Sequence, residues 1–220
     1  MSFKRSYQSI ADLPAVIPVF PLGGALLLPR GDLPLNIFEP RYLAMIDAAL
    51  AGSRLIGMVQ PSSDKEERLP ALAKVGCLGR ITQLAEMSDG RYHIVLTGVC
   101  RFGVAEELEV ITPYRQCHAD YQDYSADLAA DLAENQVNRA GVIAALRQFA
   151  DIHSLQVDWE SIESASNESL VNALSMMAPF GLQEKQALLE AHDLPARAEM
   201  LIAISQMDLA RTGSASNVLQ

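Results

Sequence analysis

The chain has 220 residues, enough for one large domain or two small ones with a substantial core. Half of them are apolar and a fifth charged, as in a folded globular protein, and no apolar run approaches the roughly 20 residues needed to cross a bilayer. The net charge of −10 argues against a phosphate-backbone partner, which needs clustered Lys and Arg to release counterions.

The N-terminus, Met1 to Gln8, has two basic residues but neither an apolar core nor a small-residue cleavage site after them, so no secretory signal is expected and the protein is placed in the cytoplasm. Residues 1–12 read as a loosely held arm. A strand follows at Ala15–Phe20, and Gly23-Gly24 and Pro29-Arg30-Gly31 punctuate a further short strand at Ala25–Leu28, bent around a small barrel. Leu33, Leu35 and Ile37 form another apolar strand, and a helix then begins near Arg41, its junction marked by Pro40, whose missing N–H the first helical turn tolerates. Glu39 is held out of the α region by that proline and lies at the positive end of the helix dipole. The helix runs to Ala51 with Leu43, Ile46 and Leu50 on one face and Met45 and Ala49 beside it, and Gly52 stops it.

Arg54–Gln60 reads as a buried strand ended by Pro61, and Ser62–Leu69 as a charged surface loop. The clearest hairpin spans Val75 to Val104, with Ser88-Asp89-Gly90 at its tip. Tyr92, Ile94, Leu96, Cys100, Phe102 and Val104 then alternate onto one face, interrupted by Gly98, where a bulge or sharp bend is expected. Cys77, Cys100 and Cys117 form no C-x-x-C pair and read as small buried strand residues. Tyr114–Tyr121 is the last strand, and composition turns to Ala, Leu, Asp and Glu through Gln122–Ser125, which puts a domain boundary near Tyr124.

From Ala126 the pattern is helical, as one long or once-broken helix carrying Leu128, Leu132, Val137, Val142, Leu146 and Phe149, and weakest near Asn135-Gln136 and Asn138. Ser154–Ser166 is a polar connection anchored by Trp159. Ser166 or Asn167 caps a helix with Leu170, Leu174 and Met177 on its stripe, ended by Pro179, and a short helix follows at Leu182–Ala191. Asp193 caps the last helix, in which Ala198, Leu201, Ile202, Ser205 and Leu209 face inward until Thr212-Gly213. The expected organisation is an arm at 1–12, a β-rich domain at 13–124, a helical bundle at 125–212 and a disordered tail at 213–220.

Val19-Phe20-Pro21-Leu22, Leu28-Pro29-Arg30-Gly31 and Leu33-Pro34-Leu35-Asn36-Ile37-Phe38-Glu39-Pro40-Arg41-Tyr42 together resemble the opening of the substrate-binding domain at the N-terminus of Lon proteases, especially its small stand-alone bacterial members. Val75-Gly76-Cys77-Leu78-Gly79-Arg80-Ile81, Leu96 to Phe102, Ser169 to Leu174, Glu184 to Glu190 and Asp193 to Glu199 continue the likeness in the family's order. It covers roughly residues 15 to 210, a span far more specific than any one motif. The resemblance implies an α+β fold, a PUA-like pseudo-β-barrel with one packed helix followed by a C-terminal helical bundle. A complete Lon protease continues into an ATPase and a peptidase with a serine–lysine dyad. This sequence ends after the helical half and contains no G-x-x-x-x-G-K-[ST], so neither activity is expected.

No other chemistry emerges. H-E-x-x-H, G-x-S-x-G and G-x-G-x-x-G are missing, so no catalytic residues and no cofactor are assigned. His93, His118, His153 and His192 are dispersed with no i, i+4 pair, so no metal site is assigned, although His93 and His118 fall on strands read as neighbours. Asp123, Asp127, Asp131 and Glu134 recur at helical spacing and read as a solvated face, and Asp158, Glu160 and Glu163 as a polar connection.

What remains is recognition of another polypeptide. The resemblance implies that unfolded or partly folded proteins or peptides are the partners, with a protease as a further candidate, while the net charge and the lack of a long apolar run leave neither nucleic acid nor membrane expected. A groove between barrel and bundle, exposed strand edges and the flexible Met176 and Met177 suit that task. Phe38, Glu39, Arg41 and Tyr42 have two readings: aromatics that pack the turn around a local charge pair, or a peptide anchor where the family's client contacts lie. A non-enzymatic polypeptide-binding protein, acting as an adaptor for proteolysis or quality control, is the leading expectation. The alternatives are a hydrolase with a site assembled from dispersed residues, and an RNA-binding PUA-like module that the net charge disfavours.

Overall fold

The structure is a computed structural model that describes residues 7–62, 69–129, 133–152 and 156–216. Most of the Ser62–Leu69 loop, part of the N-terminal arm, Asp131, Leu132, His153 and residues 217–220 lie outside them. The chain divides into two compact units, Met1–Ala130 and Asp131–Gln220.

The first unit is a mixed sheet: β1 (Val16–Pro21), β2 (Asp32–Ile37), β3 (Leu55–Pro61), β4 (Leu72–Glu86), β5 (Tyr92–Glu107) and β6 (Arg115–Asp120), in the order β2-β5-β4-β3-β1-β6. β6 also pairs with the second half of β5, so five strands close into a ring and β2 stands outside it, against the first half of β5. Closure removes strand edges that would otherwise invite pairing with other chains. The interior is filled from alternate strand positions by Ile17, Val19, Leu55, Val59, Leu78, Cys100, Phe102 and Cys117. All three cysteines are free thiols buried in this unit, as small strand hydrophobes should be.

Both long strands serve two sheets because β5 bends at Gly98. Its pairing to β4 slips there, Leu78 facing Cys100 and Gly79 facing Gly98, which leaves Val99 as the extra residue. A Cβ on Gly98 would lie 2.0 Å from the Leu28 carbonyl oxygen, so no other residue fits. That contact explains a departure from expectation at Ala25–Leu28. The segment is buried but is not a strand, because its end is tied to the bend: Gly98 N–H donates to Gly31 C=O and Arg30 N–H to Gly98 C=O.

The helix α1 (Pro40–Ala51) starts one residue before the expected Arg41, and its buried face is Tyr42, Met45, Ile46 and Ala49, with Leu43 and Leu50 only partly covered. The stripe is rotated because Tyr42 takes the central place, its ring 4.2 Å from that of Phe20. Tyr92 Oη donates to Asp47 across 3.0 Å and fastens the helix to β5. His93 and His118 do not approach. His93 opens β5, whereas His118 pairs with Glu106 at that strand's far end.

The unit is completed by a 3-10 helix at Gln122–Leu128 rather than the start of an α-helix. Asp127, read as part of a solvated face, is instead buried. Its carboxylate accepts from Arg101 Nε (2.8 Å), Arg101 Nη2 (2.9 Å) and Arg101 N–H (3.0 Å), and its carbonyl accepts from Arg30. The Tyr124 ring lies against the same guanidinium, 4.8 Å from Cζ. This clasp holds the Gln122–Leu128 turn on β5, which is why the division into units falls after that turn.

The second unit contains α2 (Arg139–Ile152), α3 (Trp159–Ser164), α4 (Asn167–Met177), α5 (Leu182–Glu190) and α6 (Leu194–Ser216). A 3-10 turn at Glu134–Gln136 precedes α2, so of the one long or once-broken helix expected from Ala126 only the part from Arg139 is α-helical, directly after the Asn135-Gln136 and Asn138 stretch expected to be weakest. Asp158, Ser166 and Asp193 cap α3, α4 and α6 by accepting from the N–H groups of Ser161, Ser169 and Ala196. The Arg147 guanidinium stacks on Trp159 at 5.1 Å. In α4 the buried residues are Leu170, Val171, Asn172 and Ser175, not the expected Leu170, Leu174 and Met177. The inner stripe includes polar side chains that are satisfied: Ser175 Oγ donates to Val171 C=O (2.8 Å) and Asn172 Oδ1 accepts from Arg197 (3.3 Å). The helix α6 passes through Thr212-Gly213 without stopping.

Candidate functional site

The backbone register sets the geometry of one end of the first unit. Beyond Gly98 the strands β2, β5 and the distal half of β4 form a three-stranded sheet that projects from the ring, with Leu35, Ile94 and Leu84 in one row and Ile37, Tyr92 and Glu86 in the next. Directly paired residues share a face, so Leu33, Leu35 and Ile37 lie with Leu96, Ile94 and Tyr92, while Pro34, Asn36, Val95, His93, Gln83 and Ala85 alternate onto the other face. An open cleft of about 510 Å³ is lined by residues of all three strands, among them Pro34, Asn36, Gln83, Leu84 and His93.

The Phe38–Tyr42 corner follows directly on the last of those rows. Glu39 and Arg41 form the local pair that their spacing suggested, Arg41 Nε donating to Glu39 Oε2 at 2.9 Å with Nη2 at 2.8 Å. The Arg41 guanidinium also lies over the Tyr42 ring, 4.5 Å from its centre. Burial pushes the Tyr42 phenol above its ordinary pKa, and the positive charge of Arg41 partly opposes that shift. The two aromatics do not share a role. Tyr42 is 6% exposed and packs inward, whereas Phe38 is 62% exposed.

Sequence reasoning missed the far side of this sheet end. Leu84 is 44% exposed and Met87 38% exposed, at the close of β4 and the start of the turn to β5. A signal was present: Ile81 to Met87 continues the strand pattern beyond the residues that β3 can pair with. Across the turn Asp89 accepts from Arg91 at 2.7 Å, a bond that lowers the Asp89 carboxyl pKa. Phe38, Leu84 and Met87 thus stand at one end of one sheet.

Met176 and Met177 belong to the second unit and do not join that group by sequence or strand pairing. Met177 is 82% exposed at the C-terminus of α4, while Met176 is half-buried and its carbonyl accepts from the Lys185 ammonium (3.3 Å). Burial lowers the Lys185 pKa. A small crevice of about 70 Å³ lies nearby in sequence, lined by Pro179, Phe180, Ile204 and Met207 among others. Among the described residues no group of three or more His, Cys, Asp or Glu could hold a metal ion. No described helix is long and apolar enough to cross a membrane. At the end of the projecting sheet the geometry offers exposed apolar side chains and, among the described residues, unpaired strand-edge positions.

Comparison with known proteins adds to this geometry. Residues 16–206 match the family model described as the ATP-dependent protease La (LON) substrate-binding domain. The chain is 27% identical over 203 residues to Lon protease 2 of Myxococcus xanthus, and 28% identical over 200 residues to Lon protease of Anaeromyxobacter dehalogenans, in each case across 88% of its own length. It spans about a quarter of the length of those relatives, 24% and 23%. Among solved structures, the N-terminal domain of Mycobacterium avium complex Lon protease superimposes with a TM-score of 0.63 at 18% identity, covering 87% of this chain and 98% of that one. A Lon N-terminal domain protein from Xanthomonas campestris gives a TM-score of 0.60 at 19% identity, covering 86% and 97%. At these identities the structural likeness concerns the fold.

Proposed function

The chain belongs to the Lon substrate-binding domain family, and from that premise we propose that it is a non-enzymatic, cytoplasmic polypeptide-binding protein that delivers unfolded or partly folded clients to a proteolytic system. The observation that carries this reading is the placement of three large, apolar and exposed residues, Phe38, Leu84 and Met87, at one end of the projecting sheet, where Leu84 also lines an open cleft. A group of exposed apolar residues is costly to keep in water and usually marks a contact surface. The Glu39–Arg41 pair supplies the polar rim such a surface needs.

Fluorescence anisotropy with labelled casein tests the reading. Phe38→Ser and Leu84→Ser each weaken capture about tenfold, the loss of one well-placed anchor. Ile111→Ser, at an apolar residue fully exposed elsewhere on the same unit, leaves capture unchanged. Replacing Glu39 and Arg41 with alanine weakens capture while the melting temperature stays nearly constant, since an exposed pair contributes about 0–1 kcal/mol to folding. A large fall in melting temperature with unaltered capture would assign the corner a purely structural role. Turnover of generic peptide or ester substrates by the purified protein would end the non-enzymatic reading.

A further inference from the structure

The projecting sheet has two outer edges, β2 and the distal half of β4, and they are not equivalent. Antiparallel pairs alternate between residues that exchange backbone hydrogen bonds with their neighbour and residues whose N–H and C=O point away. At the turn Met87 N–H donates to Arg91 C=O (2.8 Å), so Ala85 with His93 and Gln83 with Val95 are the bonded pairs. Leu84 and Glu86 therefore direct their backbone groups outward. On the other side Gly98 N–H donates to Gly31 C=O (2.9 Å), which makes Leu33, Leu35 and Ile37 the bonded residues and turns Asp32, Pro34 and Asn36 outward.

The β2 edge is thus protected at its centre by a residue with no N–H to offer. The β4 edge carries no such block. The last contact β3 makes with it is Ile81 N–H to Arg54 C=O (2.9 Å), and among the described residues no strand pairs with its outer side from Thr82 to Glu86. Its residues are exposed, contain neither Pro nor Lys, and include one charge, Glu86.

Resting on the polypeptide-binding reading above, we infer that the outer edge of β4 at Leu84 and Glu86 receives an extended client segment as an added antiparallel strand. Each of the two residues exchanges two backbone hydrogen bonds with it, a mode of capture largely indifferent to client sequence. Side chains then set a preference. Leu84 and Glu86 lie on one face, two residues apart, so the antiparallel client residue beside Glu86 favours Arg or Lys and the one two positions later, beside Leu84, favours a large apolar side chain. Charge complementarity distinguishes a client from a second copy. Self-pairing of this edge would bring two Glu86 carboxylates onto one face between chains that each carry a net charge of −10.

The test uses the full chain and a fluorescein-labelled peptide of about ten residues with Arg-Thr-Val at its centre and Ser, Thr and Gly around it, whose extended backbone supplies the strand. The peptide binds, saturation slows hydrogen exchange of the Leu84 and Glu86 amides but not that of Asn36, and N-methylation at its Arg and Val weakens binding at least about tenfold. Glu86→Lys reverses the preference toward a peptide with Glu in place of Arg, a gain that a misfolded variant could not show. Leu84→Pro, which removes one outward donor, weakens both this peptide and labelled casein. If casein binds and Leu84→Pro and the methylated peptide behave like their parents, the edge is not the site, although polypeptide binding stands. If casein does not bind at all, both readings fall. A dimer in solution that Leu84→Pro dissociates would give the edge to a second copy and overturn the proposal.

Discussion

Arg101 and Asp127 show how much of a fold can rest on one pair. Their side chains are 4% and 9% exposed, so each charge depends on the other for its solvation. Hydrogen bonding and charge from Asp127 raise the Arg101 pKa, although its desolvation acts in the opposite direction. Replacing Asp127 with asparagine leaves a buried guanidinium without its countercharge, and a loss of about 3–5 kcal/mol is expected in urea unfolding. The double variant Arg101→Met, Asp127→Leu should recover most of it, because well-packed apolar residues commonly match a buried pair. The sequence could not reveal this pair. Asp127 recurs at helical spacing with Asp123 and Glu134 and looks solvated, and its partner lies on a strand well before it in the chain. The cysteines were legible, and they carry a pH prediction. Burial pushes the thiol of Cys100 up to about 12 and that of Cys117 up to about 11 from an ordinary 9.0. The folded state therefore holds these protons more tightly than the unfolded chain does. Their contribution is fully present below pH 9 and is lost as pH rises toward 12, so the urea midpoint should fall steadily across that window, and Cys100→Ala should flatten the slope.

At the scale of elements, one glycine fixes the path of β5 and, through it, the projecting sheet. Gly98→Ala would set a methyl group against the Leu28 backbone, which cannot swing aside as a side chain can. A loss of at least about 3 kcal/mol, or failure to fold, is expected. Gly103→Ala on the same strand is the control, since its nearest neighbour would be 3.8 Å away, and it should change stability by no more than about 1 kcal/mol. Equal stability of the two variants in thermal melts would show that the bend at Gly98 tolerates a side chain. The period-two pattern broken at Gly98 made the bend readable, as Pro40 made the helix start readable, because each signal is local backbone chemistry. Which side of a helix faces inward was less readable. The stripe on α1 turned toward Tyr42 and that on α4 toward Asn172 and Ser175, because the inner surfaces select by shape and by available hydrogen-bond partners, not by apolarity alone. The corner at Phe38–Tyr42 was picked out from the sequence, whereas the exposed Leu84 and Met87 just before the hairpin turn were passed over, because their exposure depends on where β3 stops pairing with β4 and not on their own pattern.

Charge is distributed unevenly over the whole molecule, and that has a measurable consequence. Residues 131–220 contain five basic and twelve acidic side chains, a formal charge of −7 out of the total −10. Three of the five cations bond to backbone carbonyls. Lys185 and Arg197 are buried and spend their donors on Met176 and Leu188 carbonyls, and Arg139 binds the carbonyls of Ile162 and Glu163. Like charges on a compact unit repel, and added salt screens them because the Debye length contracts to about 10 Å at 0.1 M and about 3 Å at 1 M. The single tryptophan, Trp159, lies in α3 and so reports on this unit alone. Its fluorescence melt should move upward as sodium chloride is raised from about 0.02 to about 0.5 M. Screening worth about 1 kcal/mol would appear as a shift of about 4–8 °C for a segment of this size. The β-rich unit, with a formal charge of −3, should respond less when followed by the exchange of its strand amides. A Trp159 midpoint that stays fixed or falls with salt would mean that the carboxylates at the helix N-termini, Asp158 and Asp193 among them, hold more favourable electrostatic energy than the net charge removes.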